Sequence, residues 1–320
     1  MKLIKIRFTW QLHELFDEDF TPAKSPITEI LKQGDPVVFD TSLEPANLHR
    51  FTRTHKFPLP VFKFLEECCE VAGVSSDIIH WITPIEKYRW KNKHVFNGTL
   101  EEYHNSRTTD VDFVTEIDKH FLALNNCPKT HRLEIVEYLE KTGINSQAYY
   151  SYNPKNIFPD HERSIKLDHS FADSSPKNIL SELDSLPAQI WQSSFMSIVT
   201  ESLYNASEHV IFPTEKSWKA FDKFHLPIFV SVPGFVDHIR SLGFDVFDDF
   251  IDHSYDKITD DKRRMAEIKS VIDTWSQMSL QELSAIKVKL EPRLRKNRDV
   301  LHKLTLASIK HRDEFLRSFS

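Results

Sequence analysis

Apolar and polar positions follow two periods along this chain, and residues 195–233 show both most clearly. Ile198, Val199 and Thr200 form an apolar strand that ends in the carboxylate of Glu201. A polar loop leads to Pro213-Thr214-Glu215-Lys216, after which Trp218, Phe221 and Phe224 share one side of a short amphipathic helix, and residues 227–232 form a second apolar strand. Strand, helix and strand in that order predict a parallel crossover unit, and open α/β sheets collect ligands at the carboxyl ends of their strands. Thr214, Glu215 and Lys216 stand at the mouth of that helix. A hydroxyl there caps the first turn, and a lysine beside a helix N-terminus receives an anion. The pattern predicts a phosphate-and-sugar binding corner.

Similar alternations recur elsewhere. Residues 2–8 suit a first strand, residues 28–32 a helix, and Gly34-Asp35-Pro36 a turn into the strand Val37-Val38-Phe39. Asp40, Thr41, Ser42 and Glu44 follow at once, either placed for chemistry at a strand end or capping a turn before Pro45. Residues 61–72 predict a helix with Phe62, Leu65, Cys69 and Ala72 on one side, and residues 78–83 a strand. Residues 84–103 read as irregular, aromatic and basic (Lys87, Arg89, Trp90, Lys91, Lys93), either an acceptor surface or an ordinary loop. Residues 121–124 form a strand that leads through Asn125 and Lys129 into a helix over 132–141, ended by Gly143. Arg132 in its first turn opposes the helix dipole, which suits either a bound diphosphate or a pairing with Glu134 or Asp118. Residues 148–152 form a short aromatic strand, 154–187 a polar linker, and 235–242 a helix closed by Gly243. From Lys262 the chain reads as almost wholly helical.

Composition narrows the function classes. The chain's 320 residues suit two α/β domains. A net charge of −6, with both signs mixed along the chain, leaves no broad basic face for duplex nucleic acid. Three cysteines (Cys68, Cys69, Cys127) form neither a metal spacing nor a disulfide framework and point to a reducing compartment. No leader-like start and no apolar run of about 20 residues is visible, so the expectation is a cytoplasmic protein that does not engage a membrane. Only six glycines occur, with no GxGxxG and no Walker loop, so any phosphate must be held by side chains and helix ends. Asp110 and Asp112 form a DxD, the triplet with which one class of sugar transferases holds a divalent metal against a diphosphate, though so short a pattern also arises by chance.

Residues 122–264 resemble the α-1,3-fucosyltransferase type of glycosyltransferase and a wider set of sugar-transferase-like proteins of large tailed phages. The resemblance rests first on Pro213-Thr214-Glu215-Lys216, similar to the family's [YF]-V-T-E-K block, with the downstream strand at 226–230. Val199-Thr200-Glu201-Ser202 is similar to its F-E-N-S segment, without the asparagine. Residues 124–132 are similar to its S-N-C-x-x-x-x-R segment, and Gly243 to Phe247 with Asp252 to Asp256 resemble a signature of the phage proteins.

The resemblance implies a GT-B architecture: an α/β protein of two Rossmann-like domains with parallel sheets facing across a cleft, and a helical C-terminus. The divisions expected are 1–117 on the acceptor side, 118–290 for the nucleotide sugar, and a C-terminal helix over 291–320 that packs back on the first domain. It further implies an inverting, metal-independent transfer of a hexosyl or pentosyl group from a nucleoside diphosphate sugar. No cofactor beyond that donor is required. Arg132 and Lys216 would neutralise the diphosphate, Glu215 would bind the ribose, Glu201 would sit beneath the donor, and Thr214 and Lys219 would complete the donor-binding set. The general base falls to the first domain, with Asp40 and Glu44 the candidates ahead of Glu86 and Glu116. The acceptor is a glycan or a modified DNA base, the latter with the 87–93 loop on phosphates. Two other readings remain open at this level: a metal-dependent transferase using Asp110 and Asp112, and an inactive transferase fold serving as an interaction module.

Overall fold

Both sheets of this α/β protein are parallel throughout, and their strand orders differ in a way that decides where a ligand can sit. The computed structural model describes residues 2–5, 21–40, 61–83, 90–106, 110–125, 129–152, 186–206 and 210–319. The chain divides into two units, Met1–Glu102 with Leu306–Ser320, and Tyr103–Thr305.

The first unit carries strands β1 (Lys2–Lys5), β2 (Val37–Asp40), β3 (Ile79–Thr83) and β4 (Lys93–Val95) in the sheet order β1-β2-β3-β4. Helices α1 (Pro26–Leu31) and α2 (Val61–Ala72) lie between the strands in sequence, and α3 (Thr99–Ser106) follows them. Val37, Val38 and Phe39 are fully buried, as expected of an apolar run in a parallel sheet. On α2 the buried side is Phe64, Leu65, Cys68 and Cys69, while Ala72 is half-buried. The adjacent apolar pairs broaden the stripe beyond the single row read from the sequence. Burial, with Cys68 and Glu66 nearby, pushes the Cys69 thiol up to about 11, so it behaves as an apolar core group. The stretch read as irregular holds β4 and the start of α3. The lysine and histidine of β4 hide a strand that is fixed by pairing Trp81 with Lys93. Phe315, Leu316 and Phe319 at the C-terminus pack on Val38, Ile82 and Phe96.

The second unit contains β5 (Lys119–Asn125), α4 (Thr130–Thr142), β6 (Ala148–Tyr152), α5 (Ala188–Gln192), β7 (Ser194–Thr200), α6 (Glu215–Asp222), β8 (Leu226–Val230) and α7 (Phe235–Ser241). Two longer helices follow, α8 (Asp261–Ser276) and α9 (Leu280–Arg317), and the residues of α9 from Leu306 onward group with the first unit. Every residue of β7 is buried, which fits an inner strand. Pro227 in β8 is tolerated because that strand ends the sheet order β6-β5-β7-β8. Gly143 closes α4 with a left-handed φ of 79°, the conformation its lack of a Cβ permits.

Helix α6 stops at Asp222, short of the Phe224 assigned to it from spacing. Phe224 takes φ 61° after the helix, and the His225 N–H reaches back to the Ala220 carbonyl at 2.9 Å, a Schellman-type closure. A non-glycine side chain there costs about 1–2 kcal/mol. The Phe224 ring recovers contact against Phe113, at 5.6 Å between centroids, and beneath the Arg298 guanidinium. Phe221 stacks on Phe244 at 4.2 Å, which fixes the inner face of α6.

Candidate functional site

In the order β6-β5-β7-β8 the chain leaves β5 for β6 on one side and β7 for β8 on the other, so the topological switch point lies between β5 and β7. Crevices outside the carboxyl ends of strands at such a point are where open α/β sheets bind ligands. The strand ends are tied there by the Thr200 hydroxyl, which donates to Asn125 Oδ1 at 2.6 Å, both side chains being buried. The first sheet runs in simple order and has no comparable point among the described residues.

Glu201, the residue after β7, is completely buried, yet all its oxygen capacity is used. Oε1 accepts from the Thr214 N–H at 3.0 Å and the Ser217 hydroxyl at 2.6 Å. Oε2 accepts from the Thr214 hydroxyl at 2.6 Å and the Ser202 N–H at 3.2 Å. The carboxylate thus fastens the start of α6 to the end of β7. Thr214 is the cap of α6: its Oγ1 accepts from the Lys216 N–H at 3.4 Å and from Lys216 Nζ at 2.9 Å.

Arg132, in the first turn of α4, is buried and directs Nη2 to the carbonyls of Thr200 (3.3 Å) and Glu201 (3.4 Å). The guanidinium from the β5 side and the cap from the β7 side therefore meet through one residue. Lys216 Nζ also lies 3.0 Å from Glu215 Oε1, with both side chains about a quarter exposed. Burial works to raise the Glu215 carboxyl, but the ammonium groups of Lys216 and Lys219 outweigh it and hold the carboxyl at about 2, so Glu215 is ionised and accepts hydrogen bonds only. Lys219 itself is buried on α6. Arg132, Glu201, Thr214, Glu215, Lys216 and Lys219 thus belong to one neighbourhood.

Beside it lies a cavity of about 500 Å³, whose lining includes Lys129, Thr130, His131, Tyr204, Asp261 and Lys262. His131, Tyr204 and Lys262 are not singled out by any sequence motif. His131 directs Nε2 to the Glu201 carbonyl at 2.9 Å and stacks on Tyr204, the ring centroids being 5.1 Å apart. Tyr204 donates its hydroxyl to the Asp261 carbonyl at 2.6 Å, and the Arg264 guanidinium lies 4.4 Å from its ring centre. Arg264, almost fully buried, also donates to the carbonyls of Ser231 and Ile258 and to Asp261, knitting the loops after β7 and β8 to the start of α8. A polar residue one before Arg132 and an aromatic four after the end of β7 are the faint signals that the sequence held.

Other candidates fall elsewhere. Asp40 is the last residue of β2 in the first unit and is buried. Glu44, Glu86, Lys87 and Arg89 lie outside the described residues. In the basic loop, Lys91 pairs with Asp77 and Trp90 Nε1 donates to the Ile79 carbonyl. Asp110 of the DxD is paired with Arg298 at 2.6 Å, and Asp112 is exposed. No group of three His, Cys, Asp or Glu side chains is placed to hold a metal ion among the described residues. The block resembling the phage signature serves as scaffold: Asp245 pairs with Arg293, and Asp256 accepts the N–H groups of Val236 and Asp237 to cap α7 from downstream. No helix among the described residues is long and apolar enough to cross a membrane.

Comparison of the chain with family models, with curated proteins and with solved structures gives no match.

Proposed function

We propose that this chain is a glycosyltransferase of GT-B type that moves a sugar from a nucleoside diphosphate sugar to an acceptor hydroxyl. The observation that carries the reading is the convergence, through Glu201, of Arg132 on α4 with the Thr214–Glu215–Lys216 start of α6, at the switch point of a parallel sheet. Phosphate oxygens suit such a place, because guanidinium, ammonium and the N-terminal N–H groups of α6 offer fixed positive charge. The ionised Glu215 beside them can accept two adjacent ribose hydroxyls. Glu201, with its oxygens fully engaged, acts as a positioning residue.

In an inverting transfer the acceptor oxygen attacks the anomeric carbon as a base takes its proton. The bond from that carbon to the diphosphate oxygen breaks, and the leaving group keeps the electron pair. Arg132 and Lys216 offset the charge that develops on the diphosphate. Asp40 or Glu44 of the first unit is the base in this proposal, and the acceptor is a glycan or a modified nucleobase. A mass-spectrometric screen of donor consumption across common nucleotide sugars tests the activity, with release of a nucleoside diphosphate from at least one donor as the expected result. The same screen with chelator present should be unchanged.

A further inference from the structure

His131 has a polar atom that the proposed diphosphate clamp does not use. The side chain is only 7 % exposed and lines the 500 Å³ cavity. Its Nε2 faces the Glu201 carbonyl at 2.9 Å, and a carbonyl can only accept, so Nε2 carries the ring proton. Nδ1 is then a lone-pair acceptor, and among the described residues nothing donates to it. Burial, reinforced by the Arg132 charge, pushes the imidazole down to about 3, so the ring stays neutral and its acceptor survives at physiological pH. Stacking on Tyr204, itself held through its hydroxyl and under Arg264, fixes the plane of the ring.

Nδ1 is not sealed from solvent, so water reaches it from the cavity, and a donor group on a bound ligand can take that water's place. The rest of the lining complements a ligand that carries both phosphate and hydroxyl groups. Lys129 and Lys262 are cationic, while Glu134 and Asp261 add acceptors. We infer that His131 is a specificity residue that accepts, at Nδ1, a hydrogen bond from a hydroxyl or amino group of the bound nucleotide or nucleotide sugar. This inference rests on the nucleotide-sugar reading of the neighbouring clamp, which itself assigns no role to His131.

The test combines histidine ¹⁵N NMR of the intact chain with calorimetric titration by nucleoside diphosphates and their sugar conjugates. Adding the nucleotide that binds should move the His131 Nδ1 resonance toward its hydrogen-bonded position. In His131→Gln the amide nitrogen can replace Nε2 toward Glu201 while the carbonyl oxygen does not stand at the Nδ1 position, and affinity should fall about tenfold. His131→Asn, whose carbonyl falls near the Nδ1 position, should recover most of that loss. A drop seen with the free nucleoside diphosphate places the donor group on the nucleotide. One seen only with the conjugate places it on the sugar. Binding that leaves both the Nδ1 resonance and the His131→Gln affinity unchanged overturns the role of His131 and leaves the clamp standing. If no nucleotide or nucleotide sugar binds the wild-type chain, both readings fall.

Discussion

Glu201 grips Thr214 at two points, its Oε1 taking the backbone N–H at 3.0 Å and its Oε2 the hydroxyl at 2.6 Å. This pair joins the end of a fully buried strand to the first turn of a helix and sets where Glu215 and Lys216 emerge. Replacing Glu201 by alanine would leave buried donors on Thr214 and Ser217 without an acceptor. The expected loss is about 3 kcal/mol of unfolding free energy in urea titration, with Glu201→Gln intermediate. A loss below about 1 kcal/mol would show that the loop has another anchor.

Glu215 gives a pH signature. Its carboxyl lies at about 2 in the folded chain against an ordinary 4.5, so the unfolded chain binds the proton first. The stabilisation is complete above 4.5 and is lost as pH falls from there toward 2. Glu215→Gln should therefore flatten the stability-against-pH curve in that interval relative to wild type, and parallel curves would contradict the assignment.

A second window belongs to His225, fully buried at the other end of β7. The Ser197 hydroxyl donates to its Nδ1 and its Nε2 donates to the Trp191 carbonyl, both at 2.7 Å. Burial, with Lys287 nearby, depresses the imidazole from 6.5 to about 3. Stability from this group is present above 6.5 and lost as pH falls toward 3, with a slope of up to about 1.4 kcal/mol per pH unit. Denaturant midpoints at pH 7 and pH 5 should differ less in His225→Gln than in wild type, although the variant is less stable at both.

The elements with strong period were legible from sequence. The strand over 148–152, the helix over 61–72 and the closing role of Gly143 are as the pattern predicts, and the strand expected over 78–83 runs from Ile79 to Thr83. So was the mouth of α6, because Thr214 caps locally. What escaped depends on partners distant in sequence. The strand order that creates the switch point is set by pairing β5 with β7, which no local pattern encodes. His131 reads as an unremarkable polar residue until the Glu201 carbonyl fixes its tautomer. The left-handed turn at Phe224 is made by an aromatic held by Phe113 and Arg298 and not by the glycine usual at a helix end, so a helix period ran on past the helix end. Asp256, in the block that resembles the phage signature, caps α7 through N–H groups about twenty residues back, a pairing no local pattern shows.

The central claim is that the β5/β7 crevice holds the diphosphate of a nucleotide through Lys216 and Arg132. Calorimetric titration of wild type and Lys216→Ala with a panel of nucleoside diphosphates measures this directly. The Thr214 cap and its Glu201 anchor do not need the Lys216 side chain, so the variant should keep its fold. The account predicts at least one nucleotide that binds wild type and is weakened tenfold or more, by about 1.4 kcal/mol, in Lys216→Ala. Equal affinity in the two proteins for every nucleotide that binds, or no binding to wild type, would contradict it.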